Sequence, residues 1–365
     1  MPKGRRFSSE ARHFRDSRTG TRVRQVTTNP SIHHHPFFFV PAYDDKMERL
    51  IFVSHRTGSP QIFAEVQGDS DGGLLQLTDS PGLGEWSIYP SHDGRYVYFT
   101  AGTGAWRVDT ANLEEELLAD FGHVEMREKG MVGAGMGTTA LSWDDRWWAL
   151  RYSLNGQACL AIIDTTSGST ETILRRDSIG HMQFCPDDNN LLSYAGPLTD
   201  RLWIVNRDGT GNRRLYTRNI EKREWITHES WIPGTRELAF ADWPHGIRAV
   251  HADTLALRRI AGFNAWHPVC NRAGDRMISD TNYPDIGIQI FDPRDAGVPR
   301  RTVCFPEASN IGGHWKSPFP YDDGPVEVYA PQHTHPHPGF SPDGKRIVFS
   351  SDRSGHAQLY EALLE

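Results

Sequence analysis

Six segments of the chain repeat one local pattern: YPSHDGRYVYF, LSWDDRWWAL, FCPDDNNLLSY, WIPGTRELAF, VCNRAGDRMIS and FSPDGKRIVF. Each reads as a strand, a tight turn and a second strand, with β-branched and aromatic runs broken by Asp, Asn, Gly and Pro. PAYDDKMERLIF is a longer version of the same unit. A third strand often follows, as in TGAWRVD, QACLAIID, DRLWIVN and IGIQIFD, and a fourth ends in a short polar piece such as LLQLTD. Long apolar stretches of helical period are scarce, and LEEELLADF at 113–121 is short with turn-like residues on either side. The pattern predicts about seven units of four antiparallel strands, roughly 40–50 residues each, which is the period of a β-propeller blade. Stacked β-hairpins or two sandwiches would not need so regular a repeat.

The ends of the chain bear on how such a ring closes. The last unit stops at QLYEALLE without a fourth strand, while TGTRVRQVTT near the N-terminus has the missing type. Residues 22–27 are therefore expected to complete the last blade, which removes an exposed edge. Residues 1–365 read as one all-β domain, a seven-bladed β-propeller whose ring is closed by an N-terminal strand.

Composition narrows the function classes. A formal net charge of -7 argues against a general nucleic-acid binder. No stretch is long and apolar enough to span a membrane, and MPKGRRFSSEARHFRD lacks the apolar core of a secretory signal. The four cysteines are widely spaced and form no CxxC pair, which fits a reducing, cytoplasmic compartment. Assembly into a homodimer is left open.

The repeat also serves as a ruler. Four places before the first residue of the turn (Cys185, Ile232, Asn271 and Ser341) stand His181, His228, His267 and His337. The matching residues of two earlier units are Ser87 and Thr138, so folding does not demand histidine there. In a propeller the first strand of each blade lines the central channel. Four histidines from consecutive blades should thus converge on one mouth of it, and His33 in PSIHHHPFFF is placed to join them. His335 and His337 are two apart and point the same way on an extended strand. With His267 they make a three-nitrogen site, to which the amide oxygen of Gln332 can add. His333 shares their parity but lies further out. Such a donor set suits Mn, Fe, Ni or Zn. A solvated loop is the alternative for HTHPHP, and a satisfied core histidine for His181 or His228. Arg201, Glu229 and the Phe37–Phe38–Phe39 run are further candidates for the same mouth, although the phenylalanines equally suit a core. A ring of His, Arg and a cation is what an anionic ligand would want.

The combination of THESWIP, DRLWIVN, GHMQFCPDD and QHTHPHPGFSPD resembles the oligogalacturonate lyases, polysaccharide lyase family 22. FRDSRTGTRVRQVTTNPSIHHHPFFF is similar to that family's opening, so the resemblance spans most of the chain. The unit SPDGKRIVFSSDRSG also resembles TolB-type propeller repeats. The family resemblance implies a seven-bladed propeller that cleaves short 4-linked oligouronides by β-elimination with Mn²⁺ or another divalent transition metal. Carried over by motif, the metal ligands are His267, Gln332, His335 and His337, the Brønsted base is His228, and Arg201 binds the uronate near the scissile bond. His181 and His33 are substrate-side residues.

The chemistry asks for these types. Removing the C5 proton beside a carboxylate builds a dianionic species, which an ion held by neutral ligands stabilises. A histidine near a cation stays neutral and can act as base. The chain departs from the family at SYAGPLTDR, where Tyr194 and Ala195 replace a His-Glu pair, and around EKGMVGAGMGTTALSW. A different uronide, such as a glucuronide, therefore stays open as substrate. Outside lyase chemistry, the alternatives are a non-catalytic scaffold and a metal-dependent hydrolase or sugar-binding protein. His314 and Trp315, in the 306–330 insertion, read as a surface loop rather than a lid.

Overall fold

The computed structural model describes residues 3–66, 73–122, 137–222, 224–282, 284–297, 299–309 and 334–364. These form seven antiparallel sheets arranged as a β-propeller. No α-helix occurs among them, and no helix is long and apolar enough to cross a membrane. The fourth blade is representative: Gly180–Cys185 lies innermost, followed outward by Asp188–Ala195, Leu202–Asn206 and Arg213–Tyr216. LEEELLADF supplies Glu115–Asp120, the outer strand of the second blade, paired with Gly104–Asp109.

Each cleft between neighbouring blades holds its own apolar cluster. Val53, Ile62, Val97 and Phe99 join the first and second blades, and Leu160, Ile162, Phe184 and Leu192 join the third and fourth. Val26, Phe52, Phe63, Val348 and Leu359 join the last blade to the first. Every sheet is thus packed on both faces, so its middle strands are near-continuous apolar runs rather than alternating ones. The turns between first and second strands need a left-handed residue, which Gly94, Gly274 and Gly344 provide at φ 78°, 68° and 65°.

Ring closure follows the expected route. Arg22–Gln25 pairs with Gln358–Leu363 as the fourth strand of the last blade. Two further strands were not foreseen. Arg12–Arg15 adds a fifth strand to that sheet, and Arg6–Phe7 pairs with Leu74–Gln76 of the first blade. Both are short outer strands, and the single phenylalanine in each, Phe7 and Phe14, packs on the core but sets no period that would announce a strand.

The closure carries a buried ion cluster. Arg24 Nη1 donates to Glu361 Oε2 at 2.7 Å and to Glu65 Oε2 at 3.0 Å, its Nη2 donates to Glu65 Oε1, and the Tyr43 hydroxyl donates to Glu361. Both carboxylates are fully buried. Removing the cation would take from buried Glu65 its bidentate partner and leave Glu361 with Arg346 and Tyr43, in the cleft that joins the chain ends. Arg24→Ala is expected to cost about 3–5 kcal/mol in chemical denaturation. A loss below about 1 kcal/mol, typical of a surface pair, would contradict this.

The first blade departs from its siblings. His33–His34 pairs with the far end of Arg49–Ser54, while Tyr43 bridges to Leu50 at the near end. Between these contacts the chain leaves the sheet and turns, with Val40 N–H donating to Phe37 O at 2.7 Å. Phe37 and Phe38 are buried and touch rings from the second, fifth, sixth and last blades: Trp86, His228, His267 and His337. Only a position at the centre of the ring reaches all of these, so the two phenylalanines plug the channel.

Candidate functional site

Above this plug four blades present a histidine at one recurring irregularity. In the fourth blade Gly180 pairs with Ala195 and Gln183 with Ser193, so three steps on the inner strand face two on its neighbour. The fifth blade repeats this between Thr227↔Ala241 and Ser230↔Ala239. In the last blade Ser350 N–H donates to Pro336 O, and Gly339 pairs with Val348. These are β-bulges, which re-aim a side chain next to functional sites. His181, His228 and His337 occupy them with φ of 47°, 53° and 47°. Left-handed backbone at a non-glycine residue costs roughly 1–3 kcal/mol and persists where surrounding structure enforces it. The four-residue spacing in the sequence is the trace of this shared bulge.

The sixth blade has the same offset: Trp266 N–H donates to Asp280 O, and Val269 pairs with Ile278. His267 sits within it without a positive φ. Its backbone N–H donates to Asp280 Oδ1, and its ring Nδ1–H donates to Asp280 Oδ2, both at 2.8 Å.

His267, His335 and His337 each offer one ring nitrogen, all within 4.8 Å of one another. The rings of His335 and His337 are parallel, 5.2 Å apart, and that of His267 lies 4.3 Å from His337. His267 and His337 are buried, and their Nε2 atoms have no hydrogen-bond partner. Buried polar atoms are seldom left so. Three imidazoles with one ring nitrogen each gathered this closely fit a divalent transition-metal ion. Burial, then the nearby imidazoles, push His337 well below its ordinary pKa, which keeps its lone pair available. Gln332 and His333 lie outside the described residues, as do His314 and Trp315 of the 306–330 insertion and most of the segment at 128–143.

His228 lies beside this trio, its ring 4.2 Å from that of His267 and 4.8 Å from that of Trp266. Trp266 belongs to a cluster with Trp225 and Trp243 that backs His228. His228 Nδ1 is buried without a hydrogen-bond partner, while part of the residue stays accessible. Burial first, and then the charges of His267, His181, Arg201 and His335, hold its pKa well below 6.5.

Arg201 and Glu229 form a buried pair. Arg201 Nε donates to Glu229 Oε1 at 2.6 Å, and His181 Nδ1 lies 3.0 Å from both Glu229 Oε2 and Arg201 Nη2. Burial alone would raise the Glu229 pKa, but Arg201 and His181 bring it down to about 2. Arg201 Nη1 makes no hydrogen bond among the described residues. His181 is pushed below its ordinary value by burial and by Arg201.

His33 does not join the others. Its Nδ1 meets Ser31 O and its Nε2 meets Arg56 Nη2, each at 2.9 Å, so both ring nitrogens are engaged in the first blade. Its neighbours reach the site instead. His35 Nε2 approaches Pro336 O at 3.4 Å, and His34 stacks on Trp86, which touches His337. The buried tract HHH could be seen in the sequence, but the strand ends after His34 and the turn that follows decides which histidine faces the channel. Tyr194 faces an inter-blade cleft, where its hydroxyl accepts from Arg176 and donates to Asn212. Asp280 and the tryptophan cluster were also missed. Asp280 lies on the chain beyond the second strand of its blade, opposite His267, and a register map of the blade would have found it.

Among curated proteins, the chain is 26% identical to an oligogalacturonate lyase of Dickeya dadantii, with 99% of this chain and 98% of that one covered. It is 24% identical to the Tol-Pal system protein TolB of Bordetella parapertussis over 72% of this chain and 57% of that protein. A solved structure described as oligogalacturonate lyase in complex with manganese superposes with a TM-score of 0.81 at 24% identity, covering 100% of this chain and 99% of the other, which is a likeness of fold. The family model described as oligogalacturonate lyase matches residues 1–365 throughout, and the chain belongs to that family.

Proposed function

We propose that this protein is a metal-dependent lyase that cleaves short 4-linked oligouronides, oligogalacturonate first among them, by β-elimination, leaving a 4,5-unsaturated uronide. The observation that carries the reading is the trio His267, His335 and His337, with its nitrogens within 4.8 Å, set directly against His228. These three residues and Gln332 would hold the ion, manganese or another divalent metal. When bound, it would supply Lewis-acid stabilisation of the carboxylate charge that builds up as C5 is deprotonated.

The chain's own residues do the rest. His228, kept neutral by burial and by its charged neighbours, takes the C5 proton. Arg201 binds the uronate carboxylate through the free side of its guanidinium, and Glu229 holds the other side in place. His181 bridges that pair and sets the wall of the sugar site. Both nitrogens of His33 are occupied, so it is left out of the substrate site. All four cysteines are free thiols, which supports a cytoplasmic setting.

Mass spectrometry of the products separates this reading from a hydrolase. Incubated with a galacturonate trimer and Mn²⁺, the protein should give fragments whose summed mass equals that of the substrate. Fragments that together contain an added water would replace elimination with hydrolysis.

A further inference from the structure

We propose that Asp280 is a positioning residue of this metal centre: its buried carboxylate locks the His267 ring with Nδ1 protonated and Nε2 turned to the ion. The inference rests on the metal-centre reading above and extends it beyond the ligands.

One carboxylate holds His267 at two points, the ring through Oδ2 and the main chain through Oδ1, both at 2.8 Å. Asp280 and His267 are 1% and 0% exposed. A carboxylate only accepts hydrogen bonds, so Nδ1 must carry the proton and Nε2 the lone pair. That lone pair is buried, without a partner, among the ring nitrogens of His335 and His337. A carboxylate behind a metal-ligating imidazole fixes its tautomer and orientation and raises its basicity. His337 makes no such bond among the described residues. The second contact explains a further difference. His181, His228 and His337 reach their bulge position with a left-handed backbone, whereas His267 does not. In the sixth blade the Asp280 carboxylate accepts the main-chain N–H at that point, holding the bulge by a side-chain bond instead.

In Asp280→Asn one of the two oxygens that accept from His267 becomes an NH₂ donor, so one of the two contacts loses its acceptor. An amide NH₂ facing Nδ1 would move the His267 proton to Nε2 and take the lone pair from the ion. Three measurements on the full chain test this: Mn²⁺ affinity by calorimetry, melting temperature without metal, and the His267 tautomer from long-range ¹H–¹⁵N spectra of ¹⁵N-histidine protein. Wild type should show the Nδ1–H tautomer. The variant should lose it and bind Mn²⁺ about 10–100-fold more weakly, with a melting temperature near that of wild type. Equal Mn²⁺ affinity in the two proteins, or an Nε2–H tautomer in metal-free wild type, would overturn the inference. The wild-type spectrum decides the matter even if the variant does not fold. Absence of Mn²⁺ binding in wild type would instead reject the metal-centre reading, while the tautomer still reports on Asp280.

Discussion

His228→Ala is expected to lower turnover of oligogalacturonate by about 10²–10⁴-fold, the usual contribution of a general base. Bound Mn²⁺ should stay at the wild-type level, because His228 is outside the trio whose nitrogens converge. The ring touches His267 and Trp266 and would act on a bound ion only through space. The protonation state gives a second readout. Burial and neighbouring charges depress the His228 pKa well below 6.5, so the imidazole is neutral above that lowered value. At saturating Mn²⁺ the rate should therefore be flat through neutrality and fall only on the acid side, below 6.5. A rate that already falls between pH 7 and 6.5 would mean an ordinary histidine pKa. Wild-type turnover in His228→Ala would remove His228 as the base.

His337→Ala is expected to lose both bound metal and activity. His337 is buried, with its Nε2 among the converging nitrogens, and it rests on Phe37 at a ring distance of 4.7 Å. Deleting it takes away one of three imidazoles and opens a gap above the phenylalanine plug. The propeller should survive, because most of its apolar clusters lie in the clefts between blades, away from the channel mouth. Alanine inherits the φ of 47°, so the substitution leaves the backbone strain in place. Elemental analysis of the purified variant and its thermal melt separate these effects. Full Mn²⁺ occupancy, or loss of metal only through unfolding, would contradict the assignment. His335→Ala should behave alike.

The blade repeat was legible because it rests on local signals. Each unit has the same turn residues between two strand-forming runs, and the structure places the turn glycines 94, 274 and 344 where left-handed backbone is needed. The closing strand was legible because the last unit visibly lacked one. Arg6–Phe7 and Arg12–Arg15 were not, because a short edge strand leaves no period in the sequence. The alignment of His181, His228, His267 and His337 survived as a fixed distance to the turn because the bulge that carries them is itself fixed relative to the turn. His33 could not be placed by that ruler: the first blade lacks a continuous inner strand, and the turn at Phe37 resets the count. Pairings across blades were equally out of reach. Nothing in THESWIP says that Glu229 meets Arg201 and His181 of the preceding blade, yet that contact decides how much of the arginine's charge is left for a substrate. The positive mouth expected from a ring of His and Arg is in fact partly neutralised by buried Glu229 and Asp280. A divalent ion would be the main source of positive charge there, which makes the account depend on the metal more than the sequence implied.

Ultraviolet absorbance during incubation with oligogalacturonate, with Mn²⁺ and then with a chelator, tests this dependence most directly. A steady rise from the conjugated double bond of the unsaturated product is expected, abolished by the chelator and restored by added Mn²⁺. No rise with Mn²⁺-loaded protein on oligogalacturonate or other 4-linked uronides, or an equal rise in the presence of the chelator, would contradict it.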